Sequence, residues 1–117
     1  MSEMGKEFAE AADLLAPDET KEVELQTIKK KVKIRQLTFG EIADIAKVAQ
    51  NDLEQYVWVV YKGLVEPKLK VDQVKKMAPL VLVELAYHIQ KYSGLDQDSI
   101  KKLENLLKTN ISLQPSK

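Results

Sequence analysis

The sequence predicts a mainly α-helical α+β protein, in which an N-terminal β-hairpin packs on a bundle of about four helices. Two patterns support this prediction. Between residues 22 and 37, apolar and polar residues alternate with the period of a half-buried strand. After residue 38, apolar residues recur every three or four positions, as in amphipathic helices. The chain of 117 residues is long enough for one domain with one core, which we place at residues 21–109.

Residues 1–20 are expected to form an acidic tail outside this domain. They carry six acidic residues against Lys6 alone. Apolar residues at helical spacing favour a short helix from Lys6 to Leu15, ending before Pro17. A helix of this length is marginal in water, so the tail is expected to be disordered unless it docks. One hypothesis is that it folds back over the hairpin and shields a surface used by a partner.

The hairpin is predicted to have a turn centred on Lys29–Lys30. This register places Leu25 opposite Ile34 on the apolar face and Glu24 opposite Arg35 on the other face. The turn contains no glycine or asparagine, which argues against a tight two-residue loop. A longer loop, or pairing of the strands with another chain, is therefore left open.

The first long helix is predicted at about residues 39–50. Thr38 and Glu41 form a capping box, in which each side chain bonds to the backbone N–H of the other residue. The expected apolar face consists of Phe39, Ile42, Ala46 and Ala49, with Ile45 beside it.

The next helix, at about residues 53–64, follows the capping residues Asn51 and Asp52. It is apolar on two sides, so it either lies at the centre of the fold or is covered by a partner. The first face consists of Leu53, Tyr56, Val57, Val60 and Leu64. The second stripe consists of Trp58, Tyr61 and Val65. Because amphipathic aromatic side chains are enriched in protein-binding surfaces, this stripe is the candidate partner-binding site, with core packing as the alternative.

The segment 65–69 is predicted to be a loop, because Pro67 disfavours helix at the residue before it. Asp72 is expected to cap a short helical turn that ends at Met77.

Two further helices are predicted, at about residues 79–93 and 97–108. Pro79 suits a first helical turn, and Gly94 suits the left-handed position after a helix end. Residues 110–117 are expected to fray. The core face of the first of these helices is Leu82, Leu85, Ile89 and Tyr92, and that of the second is Ile100, Leu103, Leu106 and Leu107.

Composition argues against several kinds of activity. The 18 basic and 18 acidic residues give zero net charge, so the protein as a whole lacks the positive field that would hold nucleic acid. There is no cysteine and one histidine, His88, which excludes the usual zinc arrangements within one chain. Four scattered glycines build no phosphate-binding loop. We predict no catalytic, cofactor-binding or metal-binding residue, and we place His88 at the edge of the core. An enzyme would require a site of an unrecognised kind.

No stretch approaches the ~20 apolar residues of a membrane-spanning helix, and Met1 to Glu10 lack the apolar region of a secretory signal. We therefore expect a soluble intracellular protein without a membrane partner. A homo-oligomer is left open, because the strands could pair between chains and several apolar faces could be shared.

The hairpin is locally basic, since it contains Lys29–Lys31, Lys33 and Arg35. A two-stranded ribbon fits the major groove of DNA, so one hypothesis is a small DNA-binding regulator of a mobile element. The alternative is a solvated strand face whose charge is neutralised by the acidic tail.

Three short segments are distinctive in their order and spacing. They are a strand leading into a capped helix, a loop with proline, and a helix end: Ile34-Arg35-Gln36-Leu37-Thr38-Phe39-Gly40-Glu41-Ile42, Gly63-Leu64-Val65-Glu66-Pro67-Lys68-Leu69, and Tyr92-Ser93-Gly94-Leu95. In this arrangement the chain resembles the tail assembly chaperones of long-tailed bacteriophages over about residues 21–95.

The resemblance implies a phage- or prophage-encoded protein that is not an enzyme and acts in the host cytoplasm. Such chaperones bind the tape measure protein, keep it soluble and help to recruit tail tube subunits. They are usually absent from the finished particle. The choice of Trp58, Tyr61 and Val65 as client contacts comes from their helical spacing and not from the resemblance.

Overall fold

The computed structural model describes residues 8–98, 101, 102 and 105. Its elements in chain order are α1 (Ala11–Leu14), β1 (Thr20–Leu25), β2 (Lys30–Arg35), α2 (Phe39–Val48), α3 (Asp52–Gly63), β3 (Leu64–Glu66), α4 (Val71–Lys75) and α5 (Pro79–Tyr92). The strands form an antiparallel sheet in the order β1-β2-β3, and β1 and β2 contact α5. The predicted α+β class, with a hairpin packed on helices, is confirmed.

The hairpin closes within one chain through a four-residue loop, residues 26–29. The Lys29 N–H donates to the Leu25 carbonyl at 2.7 Å, and Lys29 has a positive φ of 55°. The chain thus uses the longer loop that the missing glycine favours. Its centre lies two residues earlier than the predicted turn.

The register predicted for the hairpin is wrong, because Leu25 faces Lys30 and not Ile34. The two registers differ by an even number of residues, so every side chain keeps its face of the sheet. Leu25, Val32 and Ile34 are accordingly buried, and Val23 packs against them. Alternation predicts which face is buried, whereas the length of the loop sets the register.

The third strand is a correction to the sequence prediction, which ended a helix at Leu64 and made 65–69 a loop. Ile34 pairs with Leu64 and Lys33 with Glu66, with a register shift between the two pairs. Three residues are too few for alternation to be recognised. Without long-range pairing this strand would look like the loop that was predicted.

The helix α2 buries a different face from the one predicted. Ile45 is buried, with Ile42 and Ala49 partly buried beside it. Phe39 is 83% exposed, and Ala46 is also exposed. The main neighbour of α2 is α3, and a helix covered by one neighbour buries a narrow stripe.

The helix α3 has the predicted N-cap, since the Asn51 side chain accepts a hydrogen bond from the Glu54 N–H at 2.9 Å. Leu53, expected in the core, is 73% exposed, and Val59, which lies on neither predicted face, is buried. Val59 is covered because α3 contacts α2, α4, α5 and β3. This helix is therefore the central one.

The ends of α4 and α5 differ slightly from prediction. The N-cap position of α4 is Lys70 and not Asp72, and the Gln73 side chain accepts from the Lys70 N–H at 2.9 Å. The helix α5 ends at Tyr92, and Gly94 adopts the predicted left-handed conformation with φ 79°.

The two ends of the chain are described only in part. The helix α1 is shorter than the predicted segment from Lys6 to Leu15, and none of its residues is buried. Of the predicted helix 97–108, residues 97, 98, 101, 102 and 105 are helical. Its predicted apolar positions lie outside the described residues, as do 1–7 and 110–117. Among the described helices, none is long and apolar enough to cross a membrane.

One apolar cluster joins the elements from β1 to α5. Its largest fully buried side chains are Leu25, Ile34, Ile45, Val60, Val74, Leu85 and Ile89. Burial of such side chains stabilises a fold by about 1.5–3 kcal/mol each. The sheet and four of the helices are therefore held by a common core.

The hairpin loop is fastened to α5 by Glu84. The Glu84 carboxylate accepts hydrogen bonds from the backbone N–H groups of Gln26 at 2.6 Å and Thr27 at 3.0 Å. His88 Nε2 lies 3.5 Å from a carboxylate oxygen of Glu84. Burial raises the pKa of Glu84, but the hydrogen bonds from Gln26 and Thr27, together with the nearby His88, outweigh it and lower the pKa to about 2.

The close approach of α3 and α5 can be tested with two Gly→Ala substitutions. A Cβ at Gly63 would lie 2.5 Å from Ile89 Cγ2, so Gly63→Ala should lower the free energy of unfolding by about 1–3 kcal/mol. In the control, a Cβ at Gly40 would lie 3.9 Å from Thr38 Oγ1, and helix propensity should leave stability equal or raise it by up to about 1 kcal/mol. Urea denaturation measures both, and equal stability of the two variants would contradict the packing.

Acid should weaken the contact between Glu84 and the hairpin loop. The pKa of Glu84 is lowered from its usual 4.5 to about 2, so the contact stabilises fully above pH 4.5 and is lost as the pH falls toward 2. Glu84→Gln should therefore lower the free energy of unfolding by about 1.5–3 kcal/mol at neutral pH. This difference from wild type should shrink between pH 4.5 and pH 2 in urea denaturation. A pH-independent difference would argue against the ionised contact.

Candidate partner-binding surface

The candidate contacts Trp58, Tyr61 and Val65 do not share one helical stripe. Trp58 and Tyr61 are neighbours on α3 whose rings meet edge to face, with centroids 5.9 Å apart. Both are half-buried against the core, and Trp58 Nε1 is buried without a hydrogen-bond partner among the described residues. Val65 lies in β3, because α3 ends at Gly63. The role of these three residues in partner binding stays a prediction.

Two bases of the hairpin have acidic partners nearby. Glu24, which was expected opposite Arg35, faces Lys31 across the hairpin. Arg35 instead forms an ion pair with Glu41 at the start of α2. The predicted cross-strand pair is therefore replaced by Glu24 facing Lys31 across the hairpin and by an ion pair between β2 and α2.

Lys33, on the central strand, lies between two acids. It faces Glu22 on β1 and Glu66 on β3, and its Nζ lies 3.8 Å from Glu66 Oε1. The outward face of the sheet thus alternates positive and negative side chains. This alternation reduces the positive field that contact with a phosphate backbone requires.

An apolar groove lies where the N-terminal segment passes the start of α2, and we call it the Phe39 groove. Its volume is about 650 Å³. Three large apolar side chains along it have little cover: Leu14 is 77%, Leu15 is 69% and Phe39 is 83% exposed. The other residues that line it are Ala16, Gln36, Leu37, Thr38, Gly40 and Ser93. Exposed apolar side chains gathered in a concave surface are typical of binding sites.

The wall that carries Phe39 is fixed by the carboxylate of Glu41. Thr38 Oγ1 accepts from the Glu41 N–H at 3.2 Å and Glu41 Oε1 accepts from the Thr38 N–H at 2.9 Å, which confirms the predicted capping box. Both carboxylate oxygens also accept from the Arg35 guanidinium. The hydrogen bond from Arg35, opposed by burial and reinforced by Thr38 and nearby cations, lowers the pKa of Glu41 to about 2. The ionised Glu41 therefore links β2 to α2 at neutral pH.

Ser93 links the same wall to the end of α5. Its hydroxyl accepts from the Leu37 N–H at 2.9 Å and donates to the Ile89 carbonyl at 2.8 Å. Ser93 is the C-cap residue of α5, so its position is set by that helix. The wall behind the Phe39 groove is thus held by β2, α2 and α5 together.

The opposite wall is the loosely held N-terminal segment. The helix α1 has four residues, none of them buried, and a helix so short is unstable on its own. Residues 8–19 carry four acidic side chains and no basic one. The pKa of Arg35 is raised by its hydrogen bond with Glu41, against burial, and further by the charges of Glu41 and Asp18. The groove therefore has one fixed wall and one adaptable, acidic wall beside the base of the hairpin.

Sequence reasoning missed this surface because it assigned Phe39 to the core. Phe39 is the first residue of α2, directly after the N-cap. Helical side chains tilt toward the N-terminus, so a side chain at the first position projects beyond the end of the helix. The capping box could have given this signal, because it already fixed where the helix begins.

His88 is half-buried at the edge of the core, as predicted, and its ring lies 5.7 Å from that of Tyr87. Within the described parts of the chain, no group of three or more His, Asp and Glu side chains is arranged to hold a metal ion.

Removal of the Ser93 hydroxyl should loosen the wall behind the groove. Ser93→Ala leaves the Leu37 N–H without its acceptor, so the free energy of unfolding should fall by about 1–3 kcal/mol. Ser93→Thr keeps the hydroxyl and is the matched control. Hydrogen exchange at the Leu37 amide gives a local measurement, and it should accelerate in Ser93→Ala only. Unchanged stability together with unchanged exchange would contradict the role of Ser93.

No protein-family model matches the chain, and no curated protein or solved structure matches it.

Proposed function

We propose that this protein is a tail assembly chaperone of a long-tailed bacteriophage or prophage. In this role it binds the tape measure protein, keeps it soluble in the host cytoplasm and helps to recruit tail tube subunits, and it does not remain in the finished virion. The observation that carries the proposal is the Phe39 groove, where a large aromatic side chain is 83% exposed on a firmly held wall. Such a surface suits the binding of another protein.

The segments that carry the resemblance lend support because they meet in space. Ile34 pairs with Leu64, which joins the first segment to the second. Leu37 bonds to Ser93, which joins the first segment to the third. The first and third segments contribute residues to the fixed wall of the Phe39 groove, and the second pairs with the strand that leads into it.

The groove also fits the physical task of a chaperone. A partner that must later leave is better bound by a small apolar surface than by a large and fully complementary one. Other large apolar side chains on the described surface, including Phe8 and Leu80, are more than 70% exposed. They offer further contacts for a long client.

The hypothesis of a DNA-binding regulator receives less support from the geometry. Lys31, Lys33 and Arg35 all have acidic neighbours within the fold. Most of these neighbours come from the strands and from α2, and Asp18 of the acidic tail adds its charge at Arg35.

Co-expression tests the proposal. The tape measure protein of the same phage should be recovered in the soluble fraction, and should co-purify with this chain, when the two are made together. It should aggregate when it is made alone or with an unrelated acidic protein of similar size. Equal solubility with and without this chain, combined with no co-purification, would contradict the proposed function.

A further inference from the structure

We propose that the Phe39 groove binds a basic amphipathic α-helix, with the apolar face of that helix on Phe39, Leu14 and Leu15. This inference rests on the proposed function in taking an assembly client as the natural occupant. It adds the chemical class of the segment that is bound, and it can be tested without the tape measure protein.

The apolar part of the groove defines the contact face of the occupant. Phe39 projects from the fixed wall, and Leu14 and Leu15 face the same space from the adaptable wall. A helix that presents apolar side chains at every third or fourth position can reach both walls with one face. The groove volume of about 650 Å³ lies within the range of sites that enclose several apolar groups.

The backbone around the groove favours a helix over an extended segment. A strand binds by adding backbone hydrogen bonds to a free edge. Here β2 is already paired on both sides by β1 and β3. Beyond it, the Leu37 N–H is bonded to Ser93 and the Thr38 N–H to Glu41. A helix satisfies its own backbone groups, so it needs only the side-chain surface that the groove offers.

The charge around the groove defines the flanks of the occupant. Glu10 is the N-cap residue of α1, Asp13 lies in its first turn, and Asp18 and Glu19 follow the helix, with no basic residue between Phe8 and Glu19. On the fixed wall Arg35 is already paired with Glu41. The N-terminal wall of the groove is therefore negatively charged, and it complements lysine or arginine beside an apolar face. The cation Lys21 is held over the Tyr92 ring, with its Nζ 5.2 Å from the ring centroid.

The experiment uses the full chain and two labelled synthetic helices. Both helices carry leucine along one face, and they differ only in having lysine or glutamate on the flanks. Fluorescence anisotropy should show binding of the lysine helix that weakens with added salt, and at least about ten-fold weaker binding of the glutamate helix. Equal binding of the two helices, or binding of neither, would overturn the proposal.

Phe39→Ala should weaken binding of the lysine helix about ten-fold, as expected for a central aromatic contact. Leu53→Ala is the matched control, because Leu53 is 73% exposed in the first turn of α3, and it should change affinity by less than about two-fold. Equal effects of the two variants would overturn the proposal. Since both side chains lie on the surface, both variants should keep the melting temperature of the wild type.

The charge on the adaptable wall has its own pair of variants. Glu10→Gln with Asp18→Asn should weaken binding of the lysine helix several-fold at low salt. Asp72→Asn with Asp98→Asn, which removes the same charge elsewhere, should leave binding unchanged. Equal effects of the two pairs would overturn the role of the acidic wall.

Light scattering tests the alternative that a second copy of this chain occupies the groove. A dimer that is lost in Phe39→Ala and kept in Leu53→Ala would assign the groove to self-association and overturn the proposal. If the lysine helix binds as described and the tape measure protein stays insoluble, the proposed function fails while the groove assignment holds.

Discussion

The carboxylate of Glu41 serves two neighbours at once, and much of the structure depends on this. It caps α2 through Thr38 and holds Arg35 at the end of the central strand. An ion pair taken partly out of water is favourable only when its geometry is good and its hydrogen bonds are satisfied. Here the two carboxylate oxygens face the fork of the guanidinium, which meets that condition.

The position of this ion pair explains why the segment between β2 and α2 sets the orientation of the neighbouring elements. It follows β2, the strand that pairs on both sides, and precedes α2, which packs on the central helix α3. The adjacent Leu37 reaches the end of α5 through Ser93. The sheet and three of the helices are therefore oriented around one short stretch of chain. Phe39 lies on the outer side of this stretch, so its backbone is held in place by the same contacts.

Local signals predicted much of the fold. The capping box at Thr38, the cap at Asn51 and the left-handed Gly94 depend on a few neighbouring residues, and the structure confirms all three. The hairpin register, β3 and the exposure of Phe39 depend on contacts distant in sequence. Alternation gives the same buried face in either register, and a three-residue strand has no readable period. The groove could not be predicted for the same reason, since its walls come from separate parts of the chain.

The unequal firmness of the two groove walls has a consequence for how long a complex lasts. Ordering a residue of a loose segment costs about 1–2 kcal/mol of backbone entropy. When α1 and its flanking residues close on a bound partner, their new contacts contribute favourable binding free energy. Each residue that becomes ordered reduces that contribution by this amount. In the complex that we propose, the short, exposed α1 would therefore limit the residence time of the bound helix. The proposed role, in which the chain guides assembly and then departs, requires such a limit as well as an apolar surface.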